Sequence, residues 1–91
     1  MTETQLLIGS LSNDLLRVAN LIYRGSEKGA NRFFTEVKRW NNQLKDKNLK
    51  PYIKQIITDI DLIDEELSMP IAEKFLMYSI LLQNYSVHTQ F

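Results

Sequence analysis

The chain contains no cysteine, and only three glycines and two prolines occur among its 91 residues. Without cysteine there is no disulfide, no thiolate metal ligand and no cysteine nucleophile. The formal net charge is zero, so the basic balance that is typical of nucleic-acid-binding domains is missing. The longest apolar stretch, residues 75–82, includes a serine and is far shorter than the ~20 residues of a membrane span. We therefore expect a cytoplasmic protein without a membrane segment.

The length and the positions of the glycines and prolines predict one domain made of a few long elements. A chain of 91 residues suits a single domain that covers residues 1–91. Gly25 and Gly29 lie close together, and Pro51 and Pro70 stand alone further along the chain. Because residues of this kind interrupt regular structure, their placement divides the chain into four segments.

Apolar residues recur at spacings of three and four in each segment, as expected for helices and not for strands. The core residues predicted from this spacing are Leu11, Leu15, Val18, Phe33, Val37, Trp40, Ile56, Ile60, Ile63, Phe75, Tyr78 and Leu82. We predict helices over residues 3–24, 27–47, 51–67 and 69–86. Helices of such similar length joined by short turns favour an all-α fold, a small antiparallel four-helix bundle with up-down-up-down topology.

Local signals at the helix ends agree with this division. Thr2 and Gln5 have the spacing of a capping box. Gly25 suits the left-handed position after a helix, and Ser26 suits the N-cap of the next one. The weak point is residues 9–13, which are poor helix formers and leave open a first helix that begins near residue 10 or 12. We interpret the serines as caps or turn residues and not as nucleophiles.

Basic residues concentrate in the middle of the chain and suggest a nucleic-acid interface. Residues 17–54 carry ten of the eleven basic groups, and residues 55–91 carry six acidic groups against one lysine. In this alternative function the basic helix 27–47 would present Arg32, Lys38, Arg39 and Lys45 together on its outer side to phosphates. Because the total charge is balanced, we place this alternative second and do not expect tight nucleic-acid binding.

The acidic run over residues 59–66 suggests a third function, a carboxylate-ligated metal enzyme. Asp61 and Glu65 are four residues apart and would share a helix face, where two carboxylates suit a hard cation. Most of these acids, however, fall outside the apolar stripe, whereas bundle enzymes direct their metal ligands inward. We therefore expect no metal and no other cofactor.

No sequence motif indicates catalysis. The chain has no nucleophile elbow, no phosphate-binding glycine loop and no dinucleotide fingerprint. Its single histidine, His88, is close to the C-terminus and has no neighbouring carboxylate in sequence. We therefore expect a protein that is not an enzyme.

The fourth predicted helix is apolar on two sides, which is unusual for a helix in an isolated bundle. Besides its core stripe it carries Leu76, Met77 and Ile80 on roughly the opposite side. From this second stripe we predict a non-catalytic protein–protein interaction module, a small adaptor or regulatory subunit. The expected partner is a second copy of the chain, in a homodimer, or another protein.

Overall fold

The computed structural model describes residues 2–88, and it describes side chains for residues 2–85. Four helices follow one another along the chain, namely α1 (Glu3–Tyr23), α2 (Glu27–Leu44), α3 (Pro51–Asp61) and α4 (Met69–His88). They form an antiparallel, up-down-up-down four-helix bundle of about 38 × 22 × 18 Å, in which α1 packs along both α2 and α4. The predicted fold class is confirmed. Within residues 2–88, no helix is long and apolar enough to cross a lipid bilayer.

Helix α1 begins at the predicted capping box and not near residue 10 or 12. The hydroxyl of Thr2 accepts a hydrogen bond from the Gln5 amide at 3.1 Å, and the Gln5 side chain accepts one from the Thr2 amide at 2.8 Å. The poor helix formers at residues 9–13 lie in the middle of the helix. They remain helical because Leu11 and Ser12 are buried there, and tertiary packing outweighs a weak intrinsic preference.

The turn between α1 and α2 is a Schellman motif. The amide of Ser26 donates to the Leu21 carbonyl at 2.9 Å, and that of Gly25 donates to the Ile22 carbonyl at 3.0 Å. Gly25 has a φ of 77°, the left-handed conformation predicted for it. Ser26 does occupy the N-cap of α2, but within the described chain its side chain makes no capping hydrogen bond.

Helix α3 ends at Asp61 and is six residues shorter than predicted. Continuing it to residue 67 would stack Asp61 and Glu65 one turn apart and place three acids at the negative end of the helix dipole. The chain instead leaves the helix through a bond from the Ile63 amide to the Ile60 carbonyl at 3.2 Å. Ile63 is still buried, so the irregular segment 62–68 keeps its apolar contact without the helix.

The core lies between the four helices and contains the predicted stripes. All of the predicted core residues are buried except Phe33, Trp40 and Tyr78, which are half-buried at its edge. Trp40 and Tyr78 are amphipathic, and the polar end of each donates a hydrogen bond to a carboxylate of a neighbouring helix. Across the core, the rings of Phe34 and Phe75 lie 5.8 Å apart and connect α2 to α4.

Small side chains lie at the contact between α1 and α4. Ser12 and Ala19 of α1 are buried, and so are Ala72 and Ser79 of α4. The Ser12 hydroxyl donates to the Ser79 carbonyl at 2.7 Å, which joins the two helices directly. Our interpretation of these two serines as caps or turn residues was wrong, because both are interface residues whose small size allows two helices to approach closely.

Candidate protein-binding face on helix α4

The side of α4 that points away from the core carries an exposed line of residues that is apolar in its middle. Four residues spaced by four, three and four lie along it, and we call them the outer seam: Glu73, Met77, Ile80 and Asn84. Met77 is 52% exposed and Ile80 is 61% exposed, although Phe75 and Leu82 on the opposite side are fully buried. Helix α4 is therefore apolar on its inner and its outer side.

Two further leucines flank the outer seam. Leu76 is half-buried and also packs against the core, so it borders the seam and does not stand free. Leu81, which sequence reasoning missed, lies on the other flank and is 39% exposed. Of the three predicted partner-binding residues, the structure thus places Met77 and Ile80 on the exposed face and Leu76 at its edge. A signal for Leu81 was present, because it follows Met77 by one helical turn.

A groove between α1 and α4 lies on one side of the seam, and we call it the α1–α4 groove. It has a volume of about 410 Å³, and its apolar wall is formed by Leu16, Leu76 and Ile80. The hydroxyl of Ser12 lies at its floor, directed to α4 as described above. Leu16 is 41% exposed, so this apolar wall faces water.

A second groove, the α3–α4 groove, lies on the other side of the seam. Tyr52, Ile56 and Leu81 line it together with Tyr78, and its volume is about 460 Å³. The groove is open because α3 is short and makes few contacts with α4. Tyr52 is 44% exposed, and the apolar surface therefore continues from α1 across α4 to α3.

A polar contact joins α3 to α4. The Tyr78 hydroxyl donates a hydrogen bond to the carboxylate of Asp59, which also lies 3.6 Å from the Lys74 ammonium. Burial, and then the hydrogen bond and the negative charge of Asp59, raise the pKa of Tyr78 to about 12. This pair fixes the wall of the α3–α4 groove at one point.

Two of the cations that were predicted to meet nucleic acid are directed toward α3 and the segment that follows it. The Lys38 ammonium donates to the carbonyl of Ile63 at 3.3 Å and lies 5.0 Å from the centre of the Phe34 ring. Lys45 forms an ion pair of 2.9 Å with Asp61. Both amines thus have partners within the fold.

The other two cations lie on a different side of α2. Arg39 pairs with Glu36 at 2.9 Å and covers the Trp40 ring at 4.6 Å. Arg32 precedes Arg39 by two turns and is exposed, and this line is about 100° around the helix from Lys38. The four cations therefore lie along two lines on α2, because the helix spacing separates positions 38 and 45 from positions 32 and 39.

The acidic run is divided between separate partners. Asp59 interacts with α4 and Asp61 with Lys45, whereas the three acids at residues 64–66 are exposed on the irregular segment. Among the residues that the structure describes, no three acidic or histidine side chains lie close enough to hold a metal ion. The side chain of His88 lies outside the described residues.

One buried carboxylate had no sequence signal. Asp14 of α1 lies in the α1–α2 interface, where it accepts a hydrogen bond from the Trp40 indole at 2.8 Å and faces Arg17 at 3.4 Å. The hydrogen bond between Asp14 and Trp40 explains why Trp40 lies at the edge of the core, and it joins α1 to α2.

The apolar face around α4 thus combines exposed side chains of α4 with exposed side chains of α1 and α3. What it can do chemically is bury apolar area against another surface. Comparison with other proteins adds nothing to this geometry, since no family model, no curated protein and no solved structure matches the chain significantly.

Proposed function

We propose that the protein is a non-catalytic protein–protein interaction module, a small adaptor or regulatory subunit, that acts by burying the outer seam of α4. The observation that carries this proposal is the exposure of Met77 and Ile80 on a helix whose other side already fills the core. Covering such side chains is favourable by about 25 cal/mol for each Å² of apolar area removed from water. Surfaces of this type on small proteins commonly mark interaction sites.

The partner in this proposal is a second copy of the chain. The middle of the seam is an apolar ridge formed by Met77 and Ile80, and a groove with an apolar wall lies on each side of it. Ridge and grooves belong to one surface, and in this proposal a second copy presents the same ridge and grooves to it. A two-fold dimer then buries the same patch twice, and such dimers are the commonest soluble assemblies. The absence of cysteine fits the reducing cytoplasm, where we propose that the dimer acts.

Light scattering on the purified protein tests the proposal. We expect a dimer mass at micromolar concentrations for the natural chain and a folded monomer for Ile80→Glu, because a carboxylate at that position must be desolvated in the dimer. Met77→Glu serves as a second variant on the same seam. Leu6→Glu is the matched control, because Leu6 is 57% exposed on α1 and lines neither groove.

The outcomes separate clearly. Circular dichroism shows whether each variant keeps its helices, and Ile80→Glu should keep them because the side chain is mostly in water. A natural chain that stays monomeric at several hundred micromolar would contradict the proposal. Equal dissociation by Leu6→Glu would contradict it as well, since the effect would then come from added charge and not from the seam.

A further inference from the structure

The outer seam has the spacing of a short coiled-coil contact line. Its steps of four, three and four residues are those of the a and d positions of a heptad, which hold two helices together along one face. Its two inner residues are Met77 and Ile80, and its two ends are Glu73 and Asn84. The seam is therefore apolar in the middle and polar at both ends, with a charge at only one of them.

From this pattern we infer that the second copy binds antiparallel, with α4 against α4 and the two-fold axis passing midway between Met77 and Ile80. The inference rests on the function proposed above, and it adds the direction and the register of the pairing. In this arrangement Met77 packs against the partner's Ile80. Glu73 of one protomer then lies opposite the partner's Asn84.

The single charge on the seam favours this direction over the parallel one. A parallel pair would place Glu73 opposite the partner's Glu73 at the edge of an apolar contact, where two carboxylates repel each other and lose water. The antiparallel pair instead offers each carboxylate an amide N–H donor from asparagine. It also places the two α4 dipoles side by side in opposite directions, so that the positive end of each lies beside the negative end of the other.

Two independent features of the sequence give the same register. The polar pair, Glu73 and Asn84, is centred midway between residues 78 and 79. The apolar residues of the seam and its flanks, at positions 76, 77, 80 and 81, have the same centre. A two-fold axis at that point satisfies both sets at once, so no apolar side chain is placed opposite a polar end.

Charge variants at the two ends test the direction. In an antiparallel dimer of Asn84→Glu, the new carboxylate of each protomer lies opposite Glu73 of the other, so the repulsion occurs twice. We expect the dissociation constant to rise about tenfold or more. The double variant Glu73→Lys/Asn84→Glu converts this repulsion into attraction and should return the constant to within about threefold of its natural value. In a parallel dimer the double variant would bind about as weakly as Asn84→Glu alone, because like charges meet at both ends in either variant.

Cross-linking provides the second arm, since the chain has no cysteine of its own. Glu73 and Asn84 are both exposed, so cysteine is tolerated at either position. An equal mixture of Glu73→Cys and Asn84→Cys should form a mixed disulfide dimer, whereas Glu73→Cys alone should not, because its two sulfurs would be about 16 Å apart along the helices. Efficient cross-linking of Glu73→Cys with itself would overturn the antiparallel pairing and leave self-association intact. A natural chain that is monomeric overturns the proposed function itself.

Discussion

Replacing Ser12 tests how closely α1 and α4 approach each other. The side chain is 3% exposed, and its hydroxyl donates to the carbonyl of Ser79. In Ser12→Ala this hydrogen bond is lost, but a carbonyl inside a helix already accepts a backbone bond from four residues on. We therefore expect Ser12→Ala to lower the free energy of unfolding by only about 0.5–1.5 kcal/mol.

A larger side chain at the same position should be far more damaging. Ser12→Leu loses the same hydrogen bond and also inserts three extra carbon atoms where small residues face each other. Overpacking of this kind costs about 1–3 kcal/mol, which brings the total to about 1.5–4.5 kcal/mol. For a domain of this size each kcal/mol lowers the melting temperature by about 4–8 °C.

Urea titration followed by circular dichroism measures these differences, at protein concentrations below the dimer dissociation constant so that association does not contribute. Asn20→Leu is the matched control, a polar-to-leucine change at an exposed position of the same helix, and it should have little effect on stability. If Ser12→Leu costs no more than Ser12→Ala, the two helices do not approach closely at this point and the reasoning is refuted.

Four further expectations follow from the fold and its surface. Ile60→Ala should cost about 2–5 kcal/mol in urea unfolding because Ile60 is fully buried, whereas Ile80→Ala should cost well under that at monomer concentrations. Asn41→Leu should be neutral or stabilising by up to about 2 kcal/mol in the same assay. The Asn41 side-chain oxygen is buried without a hydrogen-bond partner among the described residues. Removing this buried oxygen offsets the loss of the hydrogen bond from the Asn41 amide to the Ile57 carbonyl. The pKa of Tyr78 is raised to about 12 in the folded protein, so the stability that this hydroxyl contributes is complete below pH 10 and is lost as the pH rises toward 12. Over that pH range the free energy of unfolding of Tyr78→Phe should therefore fall less than that of the natural chain. In fluorescence anisotropy, DNA and RNA should bind no more tightly than micromolar at physiological salt, and any weak binding should fade as salt is added; submicromolar affinity would contradict this.

The fold was predictable because its determinants are local and repeat along the chain. Each helix shows several turns of apolar spacing, and such a pattern tolerates a few poor helix formers. The capping box at Thr2 and the left-handed Gly25 act within five residues, so their chemistry is visible without any tertiary contact.

The end of α3 was not predictable from spacing, because burial does not require a helix. Ile63 continues the apolar register of α3, and it is buried although it lies beyond the last helical turn. Two features favour the irregular segment over a longer helix. One is the repulsion among the acids of residues 59–66, and the other is the hydrogen bond from Lys38 of α2 to the Ile63 carbonyl. The first of these is present in the sequence, whereas the second depends on how two helices are placed.

The candidate site was predictable in its middle and not at its borders, for a related reason. Met77 and Ile80 stand out because a single helix must show them on the side opposite its core stripe. Leu16 and Tyr52 belong to other helices, and they become part of the same surface only when α1 and α3 take their positions beside α4. No spacing rule within one segment connects residues of this kind.

The small residues between α1 and α4 connect the fold to the proposed function. Because Ser12 and Ser79 allow the two helices to lie close together, Leu16 reaches the flank of α4 and closes the α1–α4 groove from one side. A wider spacing would separate Leu16 from Ile80 and leave two isolated apolar side chains in place of a continuous wall. Ser12→Leu should therefore weaken the dimer as well as the fold, whereas Ser12→Ala should leave the dimer dissociation constant nearly unchanged. Loss of the dimer in Ser12→Ala would show instead that the hydroxyl itself, and not the helix spacing, shapes the face.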